Sequence, residues 1–229
     1  MSIAKEIRES IQRSSWIRQM FEEGARLKAL HGAENVHDFS LGNPILEPPP
    51  EFRQALRTLL ENPEPGMHRY MPNAGFPETR EYVAAQMQDE TGLAFEANDV
   101  VMCIGAGGGL NVVLKALLDP GDEVVVLAPF FVEYGFYTQN HGGIFTPVPT
   151  TPEFQPDLEV LEAAINAKTK VVIVNSPNNP TGVVYPQETL DRLGELLARK
   201  EQEIEHPIFL VSDDIYRHLV YDGIRNSNV

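Results

Sequence analysis

The sequence contains very little cysteine and no long apolar segment. Cys103 is the single cysteine among 229 residues, so an intrachain disulfide and a zinc site built from several cysteines are excluded. Cys103 lies inside an apolar stretch, and we expect a buried small hydrophobic side chain rather than a nucleophile. The first residues lack the apolar core of a signal peptide, and no segment is apolar over a membrane-spanning length. These features predict a cytoplasmic protein.

Positive charge is also scarce. The chain has 18 lysine and arginine residues against 33 aspartate and glutamate residues, which gives a formal net charge of −15. Such a chain is a poor ligand for nucleic acid or for an anionic membrane surface, and we expect neither as a partner. A local site for an anionic ligand remains open, because the overall charge does not set the potential of a single pocket.

What the sequence does contain is a regular alternation of strand and helix patterns from residue 99 onward. Runs rich in valine and isoleucine alternate with amphipathic helical segments, which predicts an α/β fold with a mostly parallel sheet and helices on both faces. The predicted strands cover residues 99–105, 123–128, 144–148, 170–174 and 208–212. In such a sheet ligands bind beyond the carboxyl ends of the strands, so the residues that follow each strand are the candidates.

Small residues follow the first predicted strand and lead into a helix. Gly105, Ala106 and Gly107 allow backbone N–H groups to approach an anion at the positive end of the helix dipole, which predicts a phosphate cradle. A dinucleotide fingerprint fits less well, because Leu110 stands where its last glycine would be. A glycine turn made for close packing remains an alternative.

Polar and aromatic side chains follow three later strands. Phe131 is placed to stack on a flat ring, although core packing is the alternative. Asn178 and Asn179 lie between two prolines as candidate hydrogen-bond donors, or as ordinary turn residues. Asp213, with Tyr216 close behind, is open to three interpretations: a metal ligand, an acid/base group or a helix cap. Together these positions suit a phosphorylated pyridine ring better than a nucleotide or a metal.

The sequence resembles the class I aminotransferases of the aspartate aminotransferase superfamily, which are pyridoxal 5′-phosphate enzymes of fold type I. The motifs "NSPNNPTG" and "SDDIY" carry the resemblance most specifically, supported by "YMPNAGFPETR" and "DPGDEVVVLAPFF". The resemblance implies that residues 1–50 form an N-terminal helical arm and part of a small domain. It implies that residues 51–229 form the large, cofactor-binding domain, truncated before its last strands.

The resemblance also implies roles for individual residues around the pyridine ring. Phe131 stacks on the ring, and Asp213 pairs with its nitrogen. Asn179 and Tyr216 share its phenolic oxygen, and Asn179 also faces the substrate. Asp213 and Tyr216 are accordingly the expected catalytic residues. A carboxylate beside the nitrogen favours the protonated ring, which is the better electron sink.

Other implied roles concern the phosphate, the substrate and a second subunit. The backbone of Gly105, Ala106 and Gly107 binds the cofactor phosphate, without the hydroxyl residue that many family members have there. Tyr70 reaches the phosphate in the neighbouring subunit of a homodimer, and Gly42 touches the substrate carboxylate.

The Schiff-base lysine of the family has no counterpart in this sequence. The family places it on a serine-rich strand end after the aspartate–tyrosine motif. All of the lysines present are predicted to lie in helices or turns away from the strand ends: Lys5, Lys28, Lys115, Lys168, Lys170 and Lys200. We therefore expect the chain to be the N-terminal part of a longer protein, and we expect these residues alone not to transaminate.

The leading functional hypothesis is an aminotransferase that exchanges an amino group between an amino acid and a 2-oxo acid through pyridoxal 5′-phosphate. An aspartate-like or aromatic amino acid is the default donor that the resemblance implies. Two alternatives stay open at this point. One is a lyase or decarboxylase of the same fold, and the other is a non-catalytic cofactor-binding module that lacks the lysine.

Overall fold

The chain forms two compact units, Met1–Arg69 and Tyr70–Val229. The structure, a computed structural model, describes residues 3–5, 7–8, 15–39, 42, 46–224 and 227. The first unit contains helices α1 (Ser15–His31) and α2 (Pro50–Glu61). The predicted division after residue 50 concerns the domains of the complete protein and stays a prediction.

The second unit alternates helices and strands as the sequence predicts from the second strand onward. Its elements are α3 (Pro77–Thr91), α4 (Gly105–Leu117), β1 (Glu123–Ala128), α5 (Glu133–Asn140), β2 (Ile144–Pro149), α6 (Leu158–Ala164), β3 (Thr169–Asn175), α7 (Gln187–Ile204) and β4 (Phe209–Asp213). Within the described residues, four strands form one sheet in the order β2-β1-β3-β4, and every neighbouring pair is parallel. Of the described helices, none has both the length and the apolar composition that crossing a bilayer requires.

Helices cover both faces of this sheet, which confirms the predicted α/β architecture. Because successive side chains of a strand point to opposite faces, the valine-rich central strands contribute to two separate cores. One core joins Val124, Val126, Val171 and Ile173 to buried residues of α4 and α5. The other core joins the intervening strand residues to leucines of α6 and α7: Val125, Leu127, Val172, Val174, Leu161, Leu190, Leu193, Leu196 and Leu197.

The predicted strand at residues 99–105 is absent, and the expected burial of Cys103 is wrong. The segment runs as extended and irregular chain into α4, with Cys103 exposed and Ile104 97% exposed. A strand forms only where a neighbouring strand accepts its ladder of hydrogen bonds. No described strand lies beside this segment, and its Met102 N–H donates instead to the Ala74 carbonyl.

The order of the strands places a ligand-binding crevice at one end of the sheet. Strand β1 lies between β2 and β3, so the chain moves to one side of β1 first and to its other side later. Such a reversal is the topological switch point of an open α/β sheet, where ligands bind beyond the carboxyl ends of the strands. The segments that follow β1, β3 and β4 supply the side chains at this end.

Candidate functional site

A small pocket lies beyond the carboxyl ends of β1, β3 and β4. Its volume is about 50 Å³, whereas a site that encloses a whole ligand has ~300 Å³ or more. The pocket is therefore too small to enclose a whole ligand, but it could contact one edge of a ring. Seven residues line it, four of which the sequence predicted as site residues and three of which it did not: Phe131, Asn179, Asp213 and Tyr216, then Tyr134, Asn175 and Ile215.

Asp213 is the polar centre of this pocket. It is the last residue of β4 and is 6% exposed. Its Oδ2 accepts a hydrogen bond from the Tyr134 hydroxyl at 2.6 Å. Its Oδ1 is buried and has no hydrogen-bond partner among the described residues. Because a buried carboxylate oxygen is costly unless it is paired, Oδ1 is the atom of the pocket with most to gain from a ligand N–H donor.

Tyr134 fixes the other carboxylate oxygen and was not predicted as a site residue. Its side chain is 1% exposed and meets the Phe131 ring edge-to-face, with 5.6 Å between the centroids. Burial raises the pKa of the Tyr134 phenol far above its ordinary value, and the hydrogen bond to Asp213 raises it further. Tyr134 therefore keeps its proton and remains a donor. Its position one turn after Phe131, at the start of α5, was the available sequence signal.

Asn175 joins two of the predicted residues and was also missed. It is the last residue of β3 and is 5% exposed. Its Nδ2 donates to the backbone carbonyl of Asp213 at 2.7 Å, and its Oδ1 accepts from the backbone N–H of Asn179 at 2.6 Å. Asn175 is the first asparagine of "NSPNNPTG", and its polar side chain at the end of an apolar strand could have identified it.

The loop after β3 is stabilised by hydrogen bonds within the loop, and the side chain of Asn179 remains available to a ligand. Asn178 Oδ1 accepts from the Thr181 hydroxyl at 2.9 Å, and Asn178 N–H donates to the Val183 carbonyl at 2.9 Å. Asn178, the other candidate in the sequence, thus serves the loop itself. The side-chain amide of Asn179 lines the pocket and makes no hydrogen bond to any described residue.

The predicted phosphate cradle lies at the start of α4. Helix α4 begins at Gly105, whose φ of +66° is in the left-handed region. No side-chain cap bonds to the first turn of this helix, which contains Ala106 and Gly107. The N–H groups of that turn are thus available to an anion. None of the three residues lines the small pocket.

Helix α5 connects the cradle to the pocket. It presents Tyr134 to Asp213 and carries Tyr137, whose hydroxyl lies 2.8 Å from where a Cβ on Gly107 would be. Burial raises the pKa of Tyr137, and the nearby carboxylates of Glu133 and Asp213 raise it further. Helix α5 therefore contacts both the pocket, through Tyr134, and the start of α4, through Tyr137.

Tyr70 does not line the pocket. It is fully exposed, and its role in a neighbouring subunit stays a prediction. Gly42 belongs to the first unit, and its substrate contact also stays a prediction. Among the described residues no lysine lines the pocket. Lys170 lies in β3, which agrees with the predicted strand over residues 170–174, and its predicted place in a helix or turn is wrong.

The buried tyrosines predict a loss of stability in alkali. Burial raises the pKa of Tyr185 to about 12. Above pH 10 the unfolded chain releases this phenolic proton while the folded chain keeps it, so the free energy of unfolding falls as the pH rises towards 12. Tyr185→Phe should therefore flatten this decline by up to about 3 kcal/mol between pH 10 and 12. Urea unfolding followed by circular dichroism measures it, with the exposed Tyr82→Phe as control; identical slopes for both variants would contradict the prediction.

The chain is similar to curated aminotransferases. A family model described as aminotransferase class I and II matches residues 34–228. The probable aspartate/prephenate aminotransferase of Thermus aquaticus is 43% identical over 184 residues, which is 80% of this chain and 46% of the relative. The aspartate/prephenate aminotransferase of Thermus thermophilus is 41% identical over the same shares of the two chains. The chain thus spans about half the length of the curated relatives it matches.

Solved structures of aminotransferases share the fold. An aminotransferase from Eubacterium rectale superposes with a TM-score of 0.93 at 38% identity, over 98% of this chain and 57% of that one. The aspartate aminotransferase of Thermus thermophilus with maleate superposes with a TM-score of 0.77 at 36% identity, over 92% of this chain and 53% of that one. The residues that the family model matches, 34–228, include the β4 end and the loop after β3, from which the pocket is built.

Proposed function

We propose that the chain, which belongs to the family of class I and II aminotransferases, binds pyridoxal 5′-phosphate and serves a protein that transfers amino groups between an amino acid and a 2-oxo acid. Members of this family depend on that cofactor. Because the chain spans about half of its relatives, the activity, the substrates and the partners are proposed for the protein as a whole.

The observation that carries the proposal is the free, buried Oδ1 of Asp213. A phosphorylated pyridine has one ring N–H when protonated, and a buried carboxylate oxygen without a partner is the acceptor that such a donor needs. Asp213 would hold the proton on that nitrogen, and Tyr134 would keep the carboxylate in place from the other side. The residues present therefore fit the cofactor.

The remaining residues have matching tasks. Phe131 offers a ring face or edge to the plane of the cofactor, while Asn179 and Tyr216 offer an amide and a phenol to its oxygen. The first turn of α4, with Gly105 and Gly107, offers N–H groups to the phosphate. When bound, the cofactor supplies the electron sink for bond breaking at the substrate carbon.

For the substrate we propose an aspartate-like or aromatic amino acid as donor. Two relatives from Thermus are named for aspartate and prephenate, which makes aspartate the first donor to test and prephenate an acceptor to include beside 2-oxoglutarate. A homodimer in which Tyr70 reaches the neighbouring site, and a cytoplasmic location, complete the proposal.

The test uses the complete gene product, purified with added pyridoxal 5′-phosphate. We expect saturable binding with a change in visible absorbance, reversal of that change by an amino donor, and formation of the matching 2-oxo acid. A panel of acidic, aromatic and aliphatic donors then defines the substrate. Release of carbon dioxide or ammonia without a 2-oxo acid product would favour a decarboxylase or lyase. Cofactor binding without turnover would favour a binding module, and no binding would overturn the proposal.

Substitution of two glycines of α4 distinguishes an effect on phosphate binding from a general effect on helix stability. Alanine favours a helix over glycine by about 1 kcal/mol, so Gly109→Ala, whose Cβ would lie 4.0 Å from its nearest neighbour, should raise stability and leave cofactor affinity unchanged. A Cβ on Gly107 would lie 2.8 Å from the Tyr137 hydroxyl, so either the Tyr137 ring or the first turn of α4 must shift. We expect Gly107→Ala to raise the cofactor Kd about tenfold, or ~1.4 kcal/mol. Fluorescence titration measures both variants, and equal Kd values would count against the cradle.

A further inference from the structure

We infer that Asn175 is a positioning residue: its side chain sets the placement of Asn179 relative to Asp213, and thereby the fit of the pocket to the ring that both would contact. The inference rests on the proposed cofactor binding. It concerns a residue that lines the pocket but whose side-chain amide is already bonded to the protein through both its nitrogen and its oxygen.

The two hydrogen bonds of Asn175 have opposite polarity. Its Nδ2 donates to the carbonyl of Asp213, and its Oδ1 accepts from the N–H of Asn179. Among side chains of this length at neutral pH, only an amide both donates and accepts in this way, because an ionised carboxylate only accepts and an aliphatic group does neither. At 5% exposure, solvent does not replace either bond.

The position of Asn175 in the sheet explains why such a bridge is needed. Asn175 is paired with Asp213 at the last described position of the β3–β4 ladder. Beyond this pair the strands end, and Asn179 lies four residues further along in a loop. The Asn175 side chain links the end of β3 to the loop, because it accepts a hydrogen bond from the backbone N–H of Asn179.

Three hydrogen bonds from two side chains then fix one geometry. Tyr134 holds the carboxylate of Asp213, Asn175 holds its backbone, and the same Asn175 holds the backbone of Asn179. A ring that forms hydrogen bonds to both Asp213 and Asn179 is held at two of its atoms. The distance between these two residues therefore determines how tightly the ring binds. Misplacement of such groups by about 1 Å is enough to cost ~100-fold in rate.

The test compares the pyridoxal 5′-phosphate Kd of the full chain with that of Asn175→Asp between pH 5.5 and 8.5. An ionised carboxyl accepts from Asn179 but cannot donate to the Asp213 carbonyl, whereas the protonated form does both. We expect a Kd about 10- to 100-fold above wild type at pH 8.5, and a ratio that shrinks as the pH falls. The neighbouring titratable groups, Asp213, Tyr134 and Tyr216, are common to both proteins, so the ratio isolates the new carboxyl.

Asn178→Asp is the matched control. Asn178 is 6% exposed, and its Oδ1 only accepts, from Thr181, so a carboxyl keeps its side-chain bonds. We expect a Kd within about twofold of wild type at every pH. A merely structural role for Asn175 would lower the melting temperature without a pH-dependent Kd ratio, and that result would overturn the inference.

A measurement without any variant guards against failure of Asn175→Asp to fold. In ¹⁵N-labelled wild-type protein, the Asn175 side-chain amide should exchange slowly with solvent and shift on addition of pyridoxal 5′-phosphate. An amide that exchanges freely and does not shift, while the cofactor binds, would overturn the inference. Absence of cofactor binding to the wild-type protein would instead overturn the proposed function.

Discussion

Replacement of Asp213 by asparagine is expected to lower kcat for amino transfer by about 10²- to 10³-fold while the protein remains folded. The buried carboxylate would supply the negative charge that keeps a proton on the ring nitrogen. Loss of one partner of a buried charge pair costs about 3–5 kcal/mol, and each ~1.4 kcal/mol is tenfold in rate. The expected loss in kcat corresponds to the lower part of that free-energy range. Part of the penalty also raises the free energy of the bound ground state and therefore does not slow the reaction.

Asparagine is the informative replacement because it keeps the shape of the side chain. Its oxygen still accepts from Tyr134, which leaves its NH₂ at the position of the free Oδ1. A donor would then face the ring N–H from which the wild-type oxygen would accept a hydrogen bond, so the charge would be lost and the polarity reversed at one atom. Affinity for the cofactor should fall as well, since its protonated form is no longer favoured.

The neighbouring aspartate provides the control. Asp214 accepts from the Ser212 hydroxyl at 2.6 Å and does not line the pocket, so Asp214→Asn should keep kcat within about twofold of wild type. Steady-state kinetics with the complete gene product, together with the absorbance spectrum of the bound cofactor, distinguish the two variants. Activity of Asp213→Asn within fivefold of wild type would show that Asp213 does not carry the charge.

The sequence predicted those parts of the fold that depend on local pattern. Each strand from β1 to β4 is a largely apolar run whose neighbours are also in the chain, and each formed. The segment at 99–105 has the same pattern but no described neighbour, so its ladder has no acceptor and Cys103 is exposed. A strand is a property of a pair, and a single sequence pattern does not show whether the pair is complete.

The site residues also fall into those that the local sequence predicted and those that it did not. Phe131, Asn179 and Asp213 were predictable because each lies at the end of an apolar strand or within four residues of it, where an α/β sheet places its ligands. Tyr134 and Asn175 contribute through partners on other strands, 79 and 38 residues away from them in the chain. Those contacts depend on the register of β3 against β4 and on the rotation of α5, which residue types alone do not determine.

Replacement of Tyr134 by phenylalanine is expected to lower the free energy of unfolding at neutral pH by about 1.5–3 kcal/mol, the cost of losing a hydrogen bond to a charged group. Both oxygens of the buried carboxylate would then lack a protein donor. Tyr185→Phe changes a side chain that is equally buried as a whole but that makes no side-chain hydrogen bond to a described residue, and its cost should stay within about 0.5 kcal/mol. Urea unfolding at pH 7 compares the two variants, and equal losses would mean that burial rather than the bond matters.

The catalytic effect of Tyr134→Phe should be smaller than that of Asp213→Asn, about tenfold in kcat, because the charge is kept and only its direction is released. A double-mutant cycle separates direction from charge. If Tyr134 acts through Asp213, the double variant should lose little more kcat than Asp213→Asn alone, with a coupling energy of about 1–2 kcal/mol. If the two losses simply add, Tyr134 acts independently, and the 2.6 Å hydrogen bond contributes to folding but not to the orientation of the carboxylate.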